Sequence, residues 1–337
     1  MLSIEELRGL STMDPELEKL LSKGGPGTDW KPLLSMHDLQ MARNFVSMVS
    51  SIKRGTMPKP SARPYKMKDI QIPVRDGSSV PARIYTPRRP STRGCPCMYV
   101  CPGGAYVIGE IDTDEWLCEL FVALGGVAVN VIYRHAPEYP FPIPVNDSYD
   151  GLKWLAENHA ELNINPSRGF VVGGQSNGAD VAVVLAHLYA EELSSYPPLT
   201  GLFLTCPMVM NSATVPEKYK DCFISTEQNA AGPMLSTESI EYIMSLYKAD
   251  MSSPLALPIL FADHSKLPKT YFQICGMDPL RDGGLIFEQV LKDCGVETKT
   301  DTYPGLPHAF WGPFIHADFT KRHTKDTSDG LAWLLKV

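Results

Sequence analysis

Short, nearly continuous apolar runs recur along this chain, at Cys97 to Cys101, Val127 to Ile132, Phe170 to Gly173, Leu202 to Cys206 and Thr270 to Cys275. A strand with one face in water alternates polar with apolar residues, whereas strands apolar on both faces belong to a parallel sheet covered on both sides. Helical stretches separate the runs, among them Val145 to Asn158, Asn177 to Leu193 and Gly283 to Gly295. This βαβα order predicts an α/β fold with a mostly parallel central sheet flanked by helices. Just before it, Ile70, Ile72 and Val74, a turn at Asp76-Gly77, and Val80 to Tyr85 read as a β-hairpin.

A helical block precedes the first strand. Ser3 and Glu6 have capping-box spacing, Asp14-Pro15 supplies an N-cap and a first-turn proline, Gly24-Gly25 is a stop, and Met36 to Ser51 reads as a third helix. Strand starts are spaced about 30 to 45 residues apart until Leu202 and Thr270, which stand roughly 70 apart, so the last interval holds an insertion. Within it, Ile240, Ile243, Met244 and Tyr247 fall on one helical face. An insertion at the carboxyl end of a parallel sheet lies where ligands bind, which suits a cap.

The formal net charge of -7 disfavours nucleic acid as a partner, since phosphate-neutralising surfaces need clustered Lys and Arg. No stretch approaches the roughly 20 apolar residues of a membrane span, and the amino terminus lacks the pattern of a signal peptide. A cytoplasmic protein acting on a small molecule is the expectation, with a homodimer an open arrangement. The eight cysteines have no repeated spacing and several sit in strand-like runs, as reduced core thiols do. Cys95-Pro96-Cys97 has no matching pair, so neither a metal nor a cofactor is expected.

Chemistry concentrates at Gly174-Gln175-Ser176-Asn177-Gly178. This G-x-S-x-G follows a predicted strand and opens a predicted helix, the strand, sharp turn and helix that expose a nucleophilic serine. A serine hydroxyl needs a base and a group that orients the base, arriving in the order Ser, acid, His. Asp278 and His308 both fall just beyond predicted strands, on the same sheet edge as Ser176. Asp282, immediately before Gly283-Gly284, is the better candidate for capping the following helix. Acyl transfer also needs donors for an oxyanion. Gly104, Ala105 and the amide of Asn177 are candidates, with Gly103 supplying the turn in Cys101-Pro102-Gly103-Gly104-Ala105-Tyr106.

With these motifs, Tyr133 to Glu138, Pro140-Phe141-Pro142, Cys275 to Asp282 and Pro304 to Phe310, the chain resembles the hormone-sensitive-lipase-like carboxylesterases of the α/β-hydrolase fold superfamily. The resemblance implies a Ser176, Asp278, His308 triad, and an oxyanion hole from Gly103, Gly104, Ala105 and Asn177. It also implies a helical cap at residues 1–55 and 207–250, on a core at 56–206 and 251–337. Tyr106, Phe310 and Trp311 are candidate substrate-pocket residues. Two positions depart from the family: Pro102 stands where its glycine loop begins with His, and Asn177 where Ala usually follows the nucleophile.

The expected function is a serine carboxylesterase cleaving a small-molecule ester through an acyl-enzyme on Ser176, with His308 as general base and Asp278 as orienter. The alternative is a lyase, cyclase or acyl-transfer enzyme using the same pocket, to which Pro102 and Asn177 give weight. A small-molecule receptor is a third reading, disfavoured because His308 is present. Labelling by a fluorophosphonate without ester turnover would separate the second from the first.

Overall fold

The computed structural model describes residues 2–23, 38–192 and 196–336. Three helices come first: α1 (Ile4–Gly9), α2 (Pro15–Ser22) and α3 (Leu39–Thr56). Ser3 and Glu6 form the capping box, and Asp14 accepts from the amides of Glu16 and Leu17 around first-turn Pro15. The Gly24-Gly25 stop and the Met36 start lie outside the described residues; α2 reaches Ser22 and α3 is capped by Asp38.

The hairpin follows as β1 (Tyr65–Pro73) and β2 (Ser79–Pro87), with Ile72 opposite Val80. Next come β3 (Cys97–Cys101), α4 (Glu115–Ala123), β4 (Val127–Val131), α5 (Ile143–Asn158), β5 (Phe170–Gln175), α6 (Asn177–Glu191) and β6 (Gly201–Thr205). The interval before the next strand holds α7 (Ser225–Gln228) and the amphipathic α8 (Thr237–Tyr247). Then follow β7 (Thr270–Met277), α9 (Arg281–Asp293), β8 (Thr298–Pro307) and α10 (Asp318–Leu334). The strands form one sheet in the order β1-β2-β4-β3-β5-β6-β7-β8. Pairing is antiparallel on both sides of β2 and parallel from β4 to β8.

Alternation along each strand sorts the core into two faces. From β3, Cys97, Tyr99 and Cys101 point to the side covered by α5, α6 and α9, whose Leu152, Val181 and Ile286 share that core. Met98 and Val100 point to the other side, packed on Leu117 and Phe121 of α4 and Leu331 of α10. The chain leaves β3 for β4 on one flank and returns to β5 on the other, so the connections diverge above the carboxyl ends of β3 and β5. Ligands of open α/β sheets bind in such a crevice. All eight cysteines are free, and six of them (Cys95, Cys97, Cys101, Cys118, Cys206 and Cys275) are buried. Among the described residues no helix is long and apolar enough to cross a membrane.

Backbone links fix the amino-terminal block over the same end of the sheet. The Gly305 amide donates to the Leu10 carbonyl at 2.7 Å and the Asp14 amide to the Gly305 carbonyl at 3.2 Å. From α3, Arg43 holds Glu138 in a two-pronged ion pair and donates to the Val107 and Ala136 carbonyls.

Asp282 departs from expectation. It lies inside α9 and caps another element: its Oδ2 accepts from the amides of Ile224 and Ser225 at 2.7 and 2.6 Å, the start of α7. Its Oδ1 accepts from Arg281 Nε at 2.7 Å, and both side chains are fully buried. Sequence distance from α7 hid this role. Because breaking a buried ion pair strands the surviving charge, Asp282→Asn is expected to lower unfolding free energy by about 3 kcal/mol. Urea denaturation checks it, and a loss no larger than the about 1 kcal/mol of a simple helix cap would show the pair to be unimportant.

Candidate active site

The buried run of β5 must reverse sharply into α6, and Ser176 makes the turn. Its φ of 55° and ψ of -128° are a conformation that costs a residue with a side chain about 1–3 kcal/mol. Its amide donates to the Thr205 carbonyl at 2.9 Å, which pins the turn to the end of β6. A Cβ on either Gly174 or Gly178 would collide with the Cys101 carbonyl, so only glycine lets β3 close up beside this turn. The serine hydroxyl is thereby presented at the start of α6, where unpaired amides favour negative charge.

The strand ends β7 and β8 deliver the other two groups. Nε2 of His308 lies 3.0 Å from Ser176 Oγ, and Nδ1 lies 2.6 Å from Asp278 Oδ2. Asp278 is 1% exposed, and its Oδ1 accepts the Leu280 amide at 2.9 Å, which fixes the carboxylate's rotation. With Nδ1–H donated to Asp278, Nε2 is left to accept from the hydroxyl. Burial pushes the imidazole down, but the charge and hydrogen bond of Asp278 together with Cys206 outweigh it and hold His308 well above the ordinary histidine value. Such a chain can take a proton from Ser176 and stabilise the imidazolium that results. Among the described residues, Cys206, Asp278 and His308 are the group that could hold a metal, their donor atoms lying within 4.8 Å of one another. Two of those donors already bond each other, and the imidazole also meets Ser176.

The glycine loop is built differently from expectation. Gly104, rather than Gly103, has the positive φ, 128°. Of the four backbone amides expected at an oxyanion, two have partners within the protein. Gly103 N donates to Asp114 Oδ2 at 2.7 Å and Ala105 N to Asn177 Oδ1 at 2.7 Å. No acceptor for the amides of Gly104 and Asn177 occurs among the described residues. Pro102 lacks a side chain that could steady the loop, and its carbonyl instead accepts from Tyr133 Oη at 3.1 Å. Burial holds the Asp114 carboxyl above the usual carboxylate range, against the pull of the Gly103 amide and the Trp116 indole.

A cavity of about 30 Å³ opens at Ser176 and Asn177 under Leu235 and Ile243. A second, of about 120 Å³, shares Met208, Ile240, Met244 and Leu280 with it and extends the apolar lining toward Phe223. Tyr106 lines the first cavity, stacked on Tyr247 of α8 with ring centroids 3.8 Å apart. Phe310 and Trp311 do not line either. Phe310 is fully buried against Tyr303 and Phe319, and Trp311 stacks on His323 of α10 while donating to Gln175 Oε1 at 3.2 Å. Aromatic residues after a catalytic motif read equally as pocket or core, and here α10 claims them. Asp114 and Tyr133 went unassigned by sequence; Tyr133 stood in a quoted motif, whereas nothing in the spacing flagged Asp114.

The chain matches the alpha/beta hydrolase fold family over residues 98–312. It is 33% identical over 330 residues to an AB hydrolase superfamily protein of Schizosaccharomyces pombe, covering 96% of this chain and 94% of the relative. It is 33% identical over 282 residues to versiconal hemiacetal acetate esterase of Dothistroma septosporum, covering 82% and 84%. Among solved structures, vibralactone cyclase superposes with a TM-score of 0.85 at 32% identity, covering 97% of this chain and 96% of that one. With esterases among these relatives and an eight-stranded hydrolase sheet beneath the site, the chain belongs to the alpha/beta hydrolase fold family, in its hormone-sensitive-lipase-like esterase branch.

Proposed function

We propose that this protein is a serine carboxylesterase whose nucleophile is Ser176. The observation that carries the reading is the unbroken hydrogen-bond chain from Ser176 through His308 to Asp278, at 3.0 and 2.6 Å. In the proposed reaction His308 Nε2 takes the Ser176 proton as Oγ attacks the ester carbonyl. Amides at the start of α6 and in the glycine loop, those of Asn177 and Gly104 foremost, receive the oxyanion. Collapse breaks the ester C–O bond, and the imidazolium returns its proton to the departing alkoxide. The same base then activates water against the acyl-enzyme, releasing the acid and restoring Ser176. The apolar walls favour a substrate with a small or slender apolar group on one side of the ester.

The likeness to vibralactone cyclase favours one second reading, in which a hydroxyl of the substrate, and not water, captures the acyl group. Both readings share Ser176 and His308. They part at the product: an acid and an alcohol from simple esters in the first, ring closure with poor turnover of simple esters in the second. Mass spectrometry after fluorophosphonate treatment, followed by a panel of short acyl esters, decides between them. Labelling at Ser176 with ready turnover is the expected result, and labelling without turnover favours the cyclase.

Ser176→Ala and His308→Ala should each lower kcat by several orders of magnitude while leaving the circular-dichroism spectrum of the folded protein intact. Asp278→Asn should be similarly crippled. Retention of more than about a tenth of kcat by either of the first two rejects the mechanism, since such groups act as a unit.

The pH profile supplies an independent check. A base whose folded pKa is raised stays protonated, and so idle, until the pH climbs past that raised value. kcat/KM should therefore rise with pH along a limb lying above the histidine value of about 6.5. A limb below that value in the wild-type protein would contradict the coupling of His308 to Asp278 and Cys206.

A further inference from the structure

Next to the serine, the protein holds a carbonyl-type oxygen of its own against an amide of the glycine loop. Asn177 Oδ1 accepts the Ala105 amide at 2.7 Å, and Asn177 Nδ2 donates to Tyr133 Oη at 2.6 Å. The hydroxyl of Tyr133 in turn donates to the Pro102 carbonyl at 3.1 Å, so it accepts from Nδ2, which fixes which end of the carboxamide meets Ala105. Asn177 is 3% exposed and Tyr133 1%, so water does not readily replace these bonds. Ala105, Ser176 and Asn177 all border the cavity at the nucleophile.

A neutral carboxamide oxygen at hydrogen-bond distance from an amide beside the nucleophile resembles a substrate carbonyl already seated there. While it stays, Ala105 N–H cannot turn to a developing oxyanion, and the amides of Gly104 and Asn177 are left to receive it. We propose that the Asn177 side chain is a positioning residue that withholds the Ala105 amide from the substrate, so that the protein sets its own rate of acyl transfer below what the loop could deliver. This rests on the serine-hydrolase reading above. The same bond steadies a strained segment, because Ala105 and Tyr106 have φ of 57° and 62°. A purely structural role for Asn177 is therefore the competing account, and the two predict opposite orders of activity.

The test compares Asn177→Ala and Asn177→Asp with the wild type, by kcat and KM on a short acyl ester and by the rate of Ser176 phosphonylation with a fluorophosphonate. Alanine frees the Ala105 amide, and kcat should rise at least about 10-fold, and by no more than the roughly 10²- to 10³-fold that one oxyanion donor commands. Aspartate keeps the size and the acceptor but sets a negative charge beside the oxyanion, and kcat should fall about 100-fold. KM should change little in both, and phosphonylation should follow the same order, Ala above Asn above Asp. If Asn177 only steadies the loop, the Ala variant loses activity instead of gaining it; that loss, or three equal rates, overturns the proposal. Should Asn177→Ala fail to fold, Asn177→Ser, whose shorter side chain releases the Ala105 amide while keeping a polar group, decides in its place: a rise in kcat supports the proposal and a fall overturns it. Absence of phosphonylation in all three, wild type included, removes the serine-hydrolase reading and this proposal with it. Poor ester turnover with phosphonylation in the stated order removes only the hydrolytic half of that reading.

Discussion

The carbonyl of Cys101 comes down between Gly174 and Gly178 with no room for a methyl group on either. This contact joins the end of β3 to the turn at Ser176 and sets the register Cys101 opposite Gly174. The glycine loop starts at the next residue, so its distance from the serine is set by backbone packing and not by a flexible side chain. A methyl at either glycine would push the loop away from the Ser176 hydroxyl. The strained dihedrals of Ser176 are tolerated because β3, β6 and α6 hold the turn from three sides.

From that fixed point the rest of the site is assembled by strand ends. Each parallel strand terminates on the same edge, and the chain places one side chain of the candidate site beyond several of them: Ser176 after β5, Asp278 after β7, His308 after β8. Precision comes from the sheet, since neighbouring strands cannot slip by one residue without turning every buried side chain to the other face. The helices contribute mainly burial, and burial is what lets the Asp278 charge act on His308 at full strength.

That Ser176, Asp278 and His308 would come to one edge of the sheet was legible from sequence because their positions follow from where apolar runs stop, a local signal. So was Asn177 as an irregularity, since it stands where the resemblance leads one to expect alanine. What Asn177 does was not legible. Its two partners, Ala105 and Tyr133, lie 72 and 44 residues away in the chain, and the bonds exist only because β3, β4 and β5 are neighbours. Asp282 and Asp114 escaped for the same reason, each serving an amide on another element. Phe310 and Trp311, candidates for the pocket because they follow His308, pack under α10 instead, since position after a motif does not say whether a cavity or another helix stands beyond the ring.

The stack of Tyr106 on Tyr247 carries a mechanical implication. Tyr106 directly follows Ala105, and Tyr247 closes α8, so one pair of rings spans the seam between the glycine loop and the helix that roofs the cavity. Tyr106 Oη also reaches Asp180 of α6 at 3.3 Å, which anchors the lower ring to the helix that begins beside Ser176. Lifting α8 to admit a bulky ligand must therefore peel the two rings apart or drag the loop along. Size exclusion and loop geometry become a single variable: a substrate too large for the closed roof meets a disarranged loop as well as a tight door.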